Sequence, residues 1–393
     1  EFTPSTHFIW NRLVRLVALF PGSLTLKLNV LSAVFGALSL GMIWLIAART
    51  HFKAQVRRVS DYRLATISAS AATLFLGLSP AFWFAATRAH TITFDVFLLL
   101  SAGYCLLWFR SSSQSLPLFI FSFIYGIGIV EYPLFILLFP VAAVYLGLLI
   151  FIRKRRIKRR YIPGVVCFGL LGLSTYAPAA WLYSQSNTYQ WLGFSTDNPM
   201  HLHLHLWGHH MIQLFGYIPK TGWIAYMLLA LVPLGVAVHA SRDRDLFRDD
   251  TALNATKFIL ILSVGVVVFL SPWFFHFRLL NLDFILVPYV CLSLAIGYAA
   301  GYFYVLSVAY RAKEGPRRKH PGALILKLIG GLFALLMVSS LPFNFYLIQT
   351  HSSRHIRDWA RESIRSLGDR DWLVSRGRMG SQLLIAAHEL DHP

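Results

Sequence analysis

Side chains able to hold a phosphate or move a proton gather in four short stretches, each beside a long apolar run. The first is Ala86-Thr-Arg88-Ala-His90-Thr-Ile-Thr-Phe-Asp95. The second is Gly126-Ile-Gly-Ile-Val-Glu131-Tyr-Pro133. The third spans residues 184–222, and the fourth is His276-Phe-Arg278-Leu-Leu-Asn281-Leu-Asp283. Arginine presents a planar fork of donors that matches phosphate, so Arg88 and Arg278 could grip one. His90, Asp95 and Glu131 could do acid–base work or orient a hydroxyl, in an accessory capacity. Asp283 and His7 group with the arginines as substrate contacts. The plainer alternative makes Arg88–Asp95 and Arg278–Asp283 simple interfacial ion pairs. The third stretch holds His201-Leu-His203-Leu-His205-Leu-Trp-Gly-His209-His210. Its alternate imidazoles could bind zinc, touch sugar or phosphate, or lie on an amphipathic loop helix. The nearest acid is Asp197, and no cysteine or acid stands at ligand spacing. No metal site is therefore assigned and no cofactor is called for, although a divalent metal is compatible with the chemistry.

The elements that must position these groups are membrane helices. The chain has 393 residues, 56% of them hydrophobic and only 13% charged, a balance that excludes an ordinary soluble domain. A span needs about 20 apolar residues. Runs near 25–48, 64–87, 92–109, 116–130, 133–152, 163–183, 223–239, 257–275, 283–308 and 323–346 suit about ten spans. They are continuous rather than alternating, so helices rather than a barrel satisfy the backbone in lipid. The expected fold is an all-α polytopic bundle.

A net charge of +19 raises the question of nucleic acid, but the placement of the charge answers it. Arg49, Lys53, Arg57, Arg58 and Arg63 fill one connection, and seven of the eight residues 153–160 are basic. Loops 242–257 and 311–319 continue the pattern, whereas the alternate short loops carry little beyond Arg88, Lys220 and Arg278. Such alternation is the positive-inside pattern, with anionic lipid beside the basic loops and no nucleic-acid partner. It predicts an inner (plasma) membrane protein with basic loops in the cytoplasm and the four reactive stretches outside. Cys105, Cys167 and Cys291 all fall within apolar runs and suggest no disulfide framework.

The flanks differ from the middle. Residues 8–20 place Arg12 and Arg15 three apart among apolar residues, as in a helix lying in the outer interface, and Pro21-Gly22 would end it. Residues 1–23 thus form an outer interfacial segment and 24–346 the membrane domain. Beyond it, Ile356, Trp359, Ala360, Ile364 and Leu367 recur at helical spacing, and Trp372-Leu-Val-Ser reads as a strand. Residues 347–393 read as the truncated start of a periplasmic or extracellular α/β domain.

These stretches resemble a family. Leu26-Lys-Leu-Asn29-Val-Leu-Ser32-Ala33 is similar to the asparagine–leucine–serine–alanine signature of a bacterial multipass family of formerly unknown function. That family also contains a eukaryotic transmembrane protein O-mannosyltransferase. Pro4–Trp10 stands where the family has a proline–glycine–aromatic–proline segment. Trp83–Asp95 matches a further family stretch, with His90 in place of its glutamate and Asp95 in place of its asparagine. Gly126–Pro133 also fits, with Glu131 where other members often carry histidine. The resemblance implies a glycosyltransferase of the GT-C class, which moves a sugar from a polyprenyl-phosphate carrier to a protein or glycan acceptor at the outer face. It also implies a general-base aspartate in the first outer loop, before the segment matching Pro4–Trp10, so residues 1–393 are expected to lack it. A transporter or flippase of a lipid-linked substrate and a non-catalytic membrane scaffold are the alternatives.

Overall fold

The computed structural model describes residues 7–50, 60–88, 90–112, 114–132, scattered positions from 134 to 146, 161–178, 286–314 and Pro342. Apart from Pro342, these lie in one compact unit, Pro4–Phe333; residues 1–3 and 334–393 form a second unit. Every regular element among the described residues is a helix. In order they are α1 (Phe8–Ala18), α2 (Leu24–Thr50), α3 (Asp61–Gly77), α4 (Pro80–Thr87), α5 (Ile92–Ser111), α6 (Leu116–Glu131), α7 (Tyr161–Leu173) and α8 (Leu286–Glu314).

Four helical stretches are long and apolar enough to cross a membrane: Leu24–Thr50, Ile92–Phe109, Tyr161–Pro178 and Leu286–Val305. The α3–α4 pair makes a fifth if counted as one broken span. The expected span 116–130 is α6, an apolar helix of 16 residues and shorter than those four. The run 133–152 is described at scattered positions only, and the expected spans 223–239, 257–275 and, apart from Pro342, 323–346, with the expected domain at 347–393, lie outside the described residues.

The pattern of burial is that of a membrane protein. On α2 the buried face is Ser32, Gly36, Ser39, Ile43, Ile46 and Ala47, while Val30, Val34, Leu38, Trp44 and Leu45 are exposed. On α7, Ile162, Val166, Phe168, Leu170 and Leu171 are exposed in the same way. Water would penalise such surfaces; lipid does not, and small residues then sit between helices because they let backbones approach. Gly126 on α6 and Gly172 on α7 show this, for a Cβ on Gly126 would lie 3.0 Å from the Cα of Gly172. Gly297 and Gly301 on α8, four apart, meet Ser68 and Ala72 on α3 in the same manner.

One expected span is not continuous. The run 64–87 is divided into α3 and α4, which meet at 66°. Pro80 lacks an N–H and disfavours helix in the residue before it, so the ladder must stop there. The exposed ends are satisfied locally. Ser79 Oγ donates to the Leu76 carbonyl at 2.8 Å and accepts from the Phe82 N–H at 3.4 Å. The Trp83 indole N–H donates to the Gly77 carbonyl. Hydropathy reads straight across this break because every residue around it is apolar or small.

The glycine contacts predict a contrast. Gly297→Ala places a Cβ 2.5 Å from the Ser68 carbonyl oxygen and 2.7 Å from the Ala72 Cβ, whereas Gly103→Ala meets nothing within 4 Å. Overpacking costs about 1–3 kcal/mol. Thermal unfolding in detergent should show Gly297→Ala destabilised and Gly103→Ala unchanged or slightly stabilised. Equal midpoints for the two variants would contradict the α3–α8 packing.

Candidate functional site

The site is built where the starts of α1 and α5 meet the end of α6. Three of the residues singled out in the sequence converge there: His7, Asp95 and Glu131. His7 precedes α1 and adopts a left-handed conformation, with φ 67° and ψ 44°. Histidine tolerates that region better than most residues. Its Nδ1 lies 3.7 Å from Asp95 Oδ1, in the first turn of α5, and Asp95 is only 1% exposed.

His7 provides no side-chain cap for α1. The first N–H groups of a helix have no partner within it. One is satisfied from a distant part of the chain: the Ile9 N–H donates to Glu131 Oε1 at 2.5 Å. Glu131 ends α6, one residue past the apolar run 116–130, and is fully buried. Burial pushes its carboxyl up from the ordinary 4.5 to about 7. Nearby Asp95 acts in the same direction, while the Ile9 and Trp10 N–H groups and the His7 imidazole oppose it. The other end of this contact is aromatic. Trp10 packs on Phe35 and Phe94, and those two rings meet edge to face at 4.8 Å.

His90 is positioned from α2. Ser32 Oγ donates to the His90 carbonyl at 3.0 Å and accepts the His90 N–H at 3.2 Å. Thr93 Oγ1 donates to the Ser32 carbonyl at 3.0 Å, and Ser39 Oγ donates to the Thr93 carbonyl at 3.2 Å. Gly36, between the two serines on the same face, permits the approach: a Cβ there would lie 3.0 Å from the Ala86 Cβ. His90 Nδ1 in turn accepts the Ile92 N–H at 3.3 Å, at the start of α5. The signature serine at 32 is thus a clamp on the connection that carries His90.

Arg88 follows α4 and is half buried. Its guanidinium stands 3.8 Å from the centre of the Phe84 ring. Asp95 faces His7 instead, and no ion pair joins Arg88 to Asp95 among the described residues, which corrects the plainer sequence reading. Stacking holds the plane of an arginine while leaving its in-plane donors available. Arg278, Asp283 and the histidines of 201–210 lie outside the described residues. Among the described residues no three metal-binding side chains are grouped to hold an ion. What sequence reasoning missed is the role of the α1 backbone: the partner of Glu131 is an N–H, which no side-chain pattern reveals.

Residues 6–158 match the family model described as the Protein O-mannosyl-transferase TMEM260 N-terminal domain. The resemblance seen in the sequence is therefore shown over that stretch. It holds helices α1 to α6 and all of the described site: His7, Ser32, Arg88, His90, Asp95 and Glu131. The match suggests a membrane glycosyltransferase of the O-mannosyl-transferase kind. No curated protein matches the chain.

The clamp gives a direct test. Ser32→Ala removes an acceptor and a donor from the His90 backbone, and unsatisfied buried groups cost about 1–3 kcal/mol. Denaturation should show a loss of that order. A variant as stable as the wild type would mean that water or another group replaces the clamp.

Proposed function

We propose that the chain is a GT-C-like glycosyltransferase that moves a sugar from a polyprenyl-phosphate carrier to a hydroxyl of a protein or glycan acceptor. The observation that carries the reading is the match of residues 6–158 to an O-mannosyl-transferase domain, since those residues include the His7–Asp95–Glu131 group. In this reading the bundle comprises about ten spans in the inner membrane, with basic loops in the cytoplasm and the site at the outer face. Residues 347–393 are assigned to the outer, soluble side.

The chemistry sets the requirements. The acceptor oxygen attacks the anomeric carbon, the bond from that carbon to the phosphate oxygen breaks, and the lipid phosphate leaves with the bonding pair. A base takes the hydroxyl proton, and positive charge must meet the phosphate as it leaves. Arg88 suits the second requirement. It is half buried, held over the Phe84 ring and joined by one residue to the clamped His90. Arg278 joins it as the second arginine of the phosphate clamp, with Asp283 and His7 as substrate contacts. Asp95 and His90 serve beside the base, orienting the acceptor or balancing charge.

A transporter of a lipid-linked substrate is the second reading, favoured by the break between α3 and α4, since transporters build sites at broken helices. Here the broken ends are satisfied locally by Ser79 and Trp83, which leaves less for a substrate to bind.

Transfer of labelled mannose from polyprenyl-phosphate mannose to an acceptor peptide, in proteoliposomes of the full natural chain, tests the proposal. Arg88→Lys keeps the charge and loses the fork, so donor binding should weaken about 10-fold or more, the scale of a charged hydrogen bond. Unchanged donor binding would remove Arg88 from the clamp, and sugar carried across the bilayer without transfer would favour the transporter.

A further inference from the structure

We infer that Glu131 is a positioning residue: it latches the first turn of α1, and with it His7, onto the ends of α5 and α6. The bearing of this latch on catalysis rests on the transferase reading; the latch itself does not.

Three observations carry the inference. Glu131 Oε1 accepts the Ile9 N–H across 122 residues of sequence, so the contact ties two remote segments rather than closing a local turn. Glu131 is fully buried, and its Oε2 has no hydrogen-bond partner among the described residues. A buried carboxyl is costly to keep, and donation from helix N–H groups at the positive end of α1 offsets part of that cost. The residue before α1 is His7, in a left-handed turn with no side-chain cap. His7 adjoins that turn, so whatever holds the first turn of α1 also holds His7 beside Asp95. The groups facing Glu131 are the Ile9 and Trp10 N–H groups and His7 from the α1 side, and Asp95 from α5. Trp10, buried against Phe35 and Phe94, pins the next residue of the same turn.

A latch and an acid–base group make opposite demands on substitution. A latch needs an acceptor oxygen, which glutamine retains. A proton carrier needs the carboxyl, which glutamine lacks. Glu131→Gln and Glu131→Ala in the full natural chain, reconstituted in lipid nanodiscs, separate the two. Hydrogen exchange is read at the first turn of α1, and kcat and KM are read for sugar transfer.

In the Ala variant, exchange at Ile9 and Trp10 should rise about 10-fold or more while the middle of α5 stays protected. Its kcat should fall about 10-fold or more with little change in the donor KM. The Gln variant should keep both the protection and most of the kcat. Unaltered exchange in the Ala variant would overturn the latch. So would a Gln variant as inactive as Ala with α1 fully protected, since Glu131 would then act through its proton. Should the Ala variant fail to fold, Ile9→Pro removes the same N–H within the first turn of α1, where a helix tolerates proline. It should loosen the first turn while leaving Glu131 in place, and unchanged exchange at Trp10 would equally overturn the latch. If the wild type transfers no sugar, the transferase reading fails, and exchange alone still decides the latch.

Discussion

A carboxyl group with no access to solvent, placed against the first turn of a helix, constrains everything around it. Glu131 is fully buried at the end of α6. It persists there because the Ile9 N–H needs an acceptor and the His7 side chain provides no cap. Each group relieves a deficit of the other. The exchange requires α1 to start at the end of α6, and it brings His7 within 3.7 Å of Asp95 on α5. Three ionisable side chains from three parts of the chain thereby meet in one place, Asp95 and Glu131 buried and His7 partly so.

The surrounding bundle makes that convergence possible by close packing of small residues. Ser32, Gly36 and Ser39 form the face of α2 that receives the start of α5, and the serines bond to its backbone. In lipid there is no hydrophobic drive to bring helices together, so close backbone approach and buried hydrogen bonds carry the association. Glycines at 126, 172, 297 and 301 extend the same device to α6–α7 and α3–α8. The large apolar side chains of α2 and α7 face outward instead. Stability and site geometry thus share one source: the reach of α2 that clamps His90 is also the reach that seats α5.

Much of this was legible in the sequence, because apolar run length is a strong signal. A helix was expected at 8–20 and α1 runs over 8–18, and the expected runs at 25–48, 92–109, 116–130 and 283–308 lie within or largely over α2, α5, α6 and α8. His7, Asp95 and Glu131 could each be named from residue type. Their meeting could not, since it depends on a backbone N–H and on the packing of α1 through Trp10. The break at residues 78–79 escaped hydropathy, though Gly77 and Ser79-Pro80 are its written signals. The cation–π contact of Arg88 with Phe84 follows helical spacing of four residues, but an ion pair with Asp95 was the more obvious guess. Ser32 was visible as a signature letter; its work as a clamp needed the neighbouring helix.

The buried carboxyl also sets a pH dependence that tests the central claim most directly. With its carboxyl raised from 4.5 to about 7 in the folded chain, Glu131 holds a proton that the unfolded chain releases. Its contribution is complete below the unfolded value and is lost as pH rises through the folded one. His7 and Asp95 face the same space, so the comparison is between wild type and Glu131→Gln rather than along one curve. Unfolding midpoints of the two should be measured in detergent from about pH 4 to pH 8. The wild type should lose stability relative to Glu131→Gln as pH rises from 4.5 to about 7, and the gap should then level off. Parallel profiles across that range would contradict a buried, proton-holding Glu131 at the start of α1.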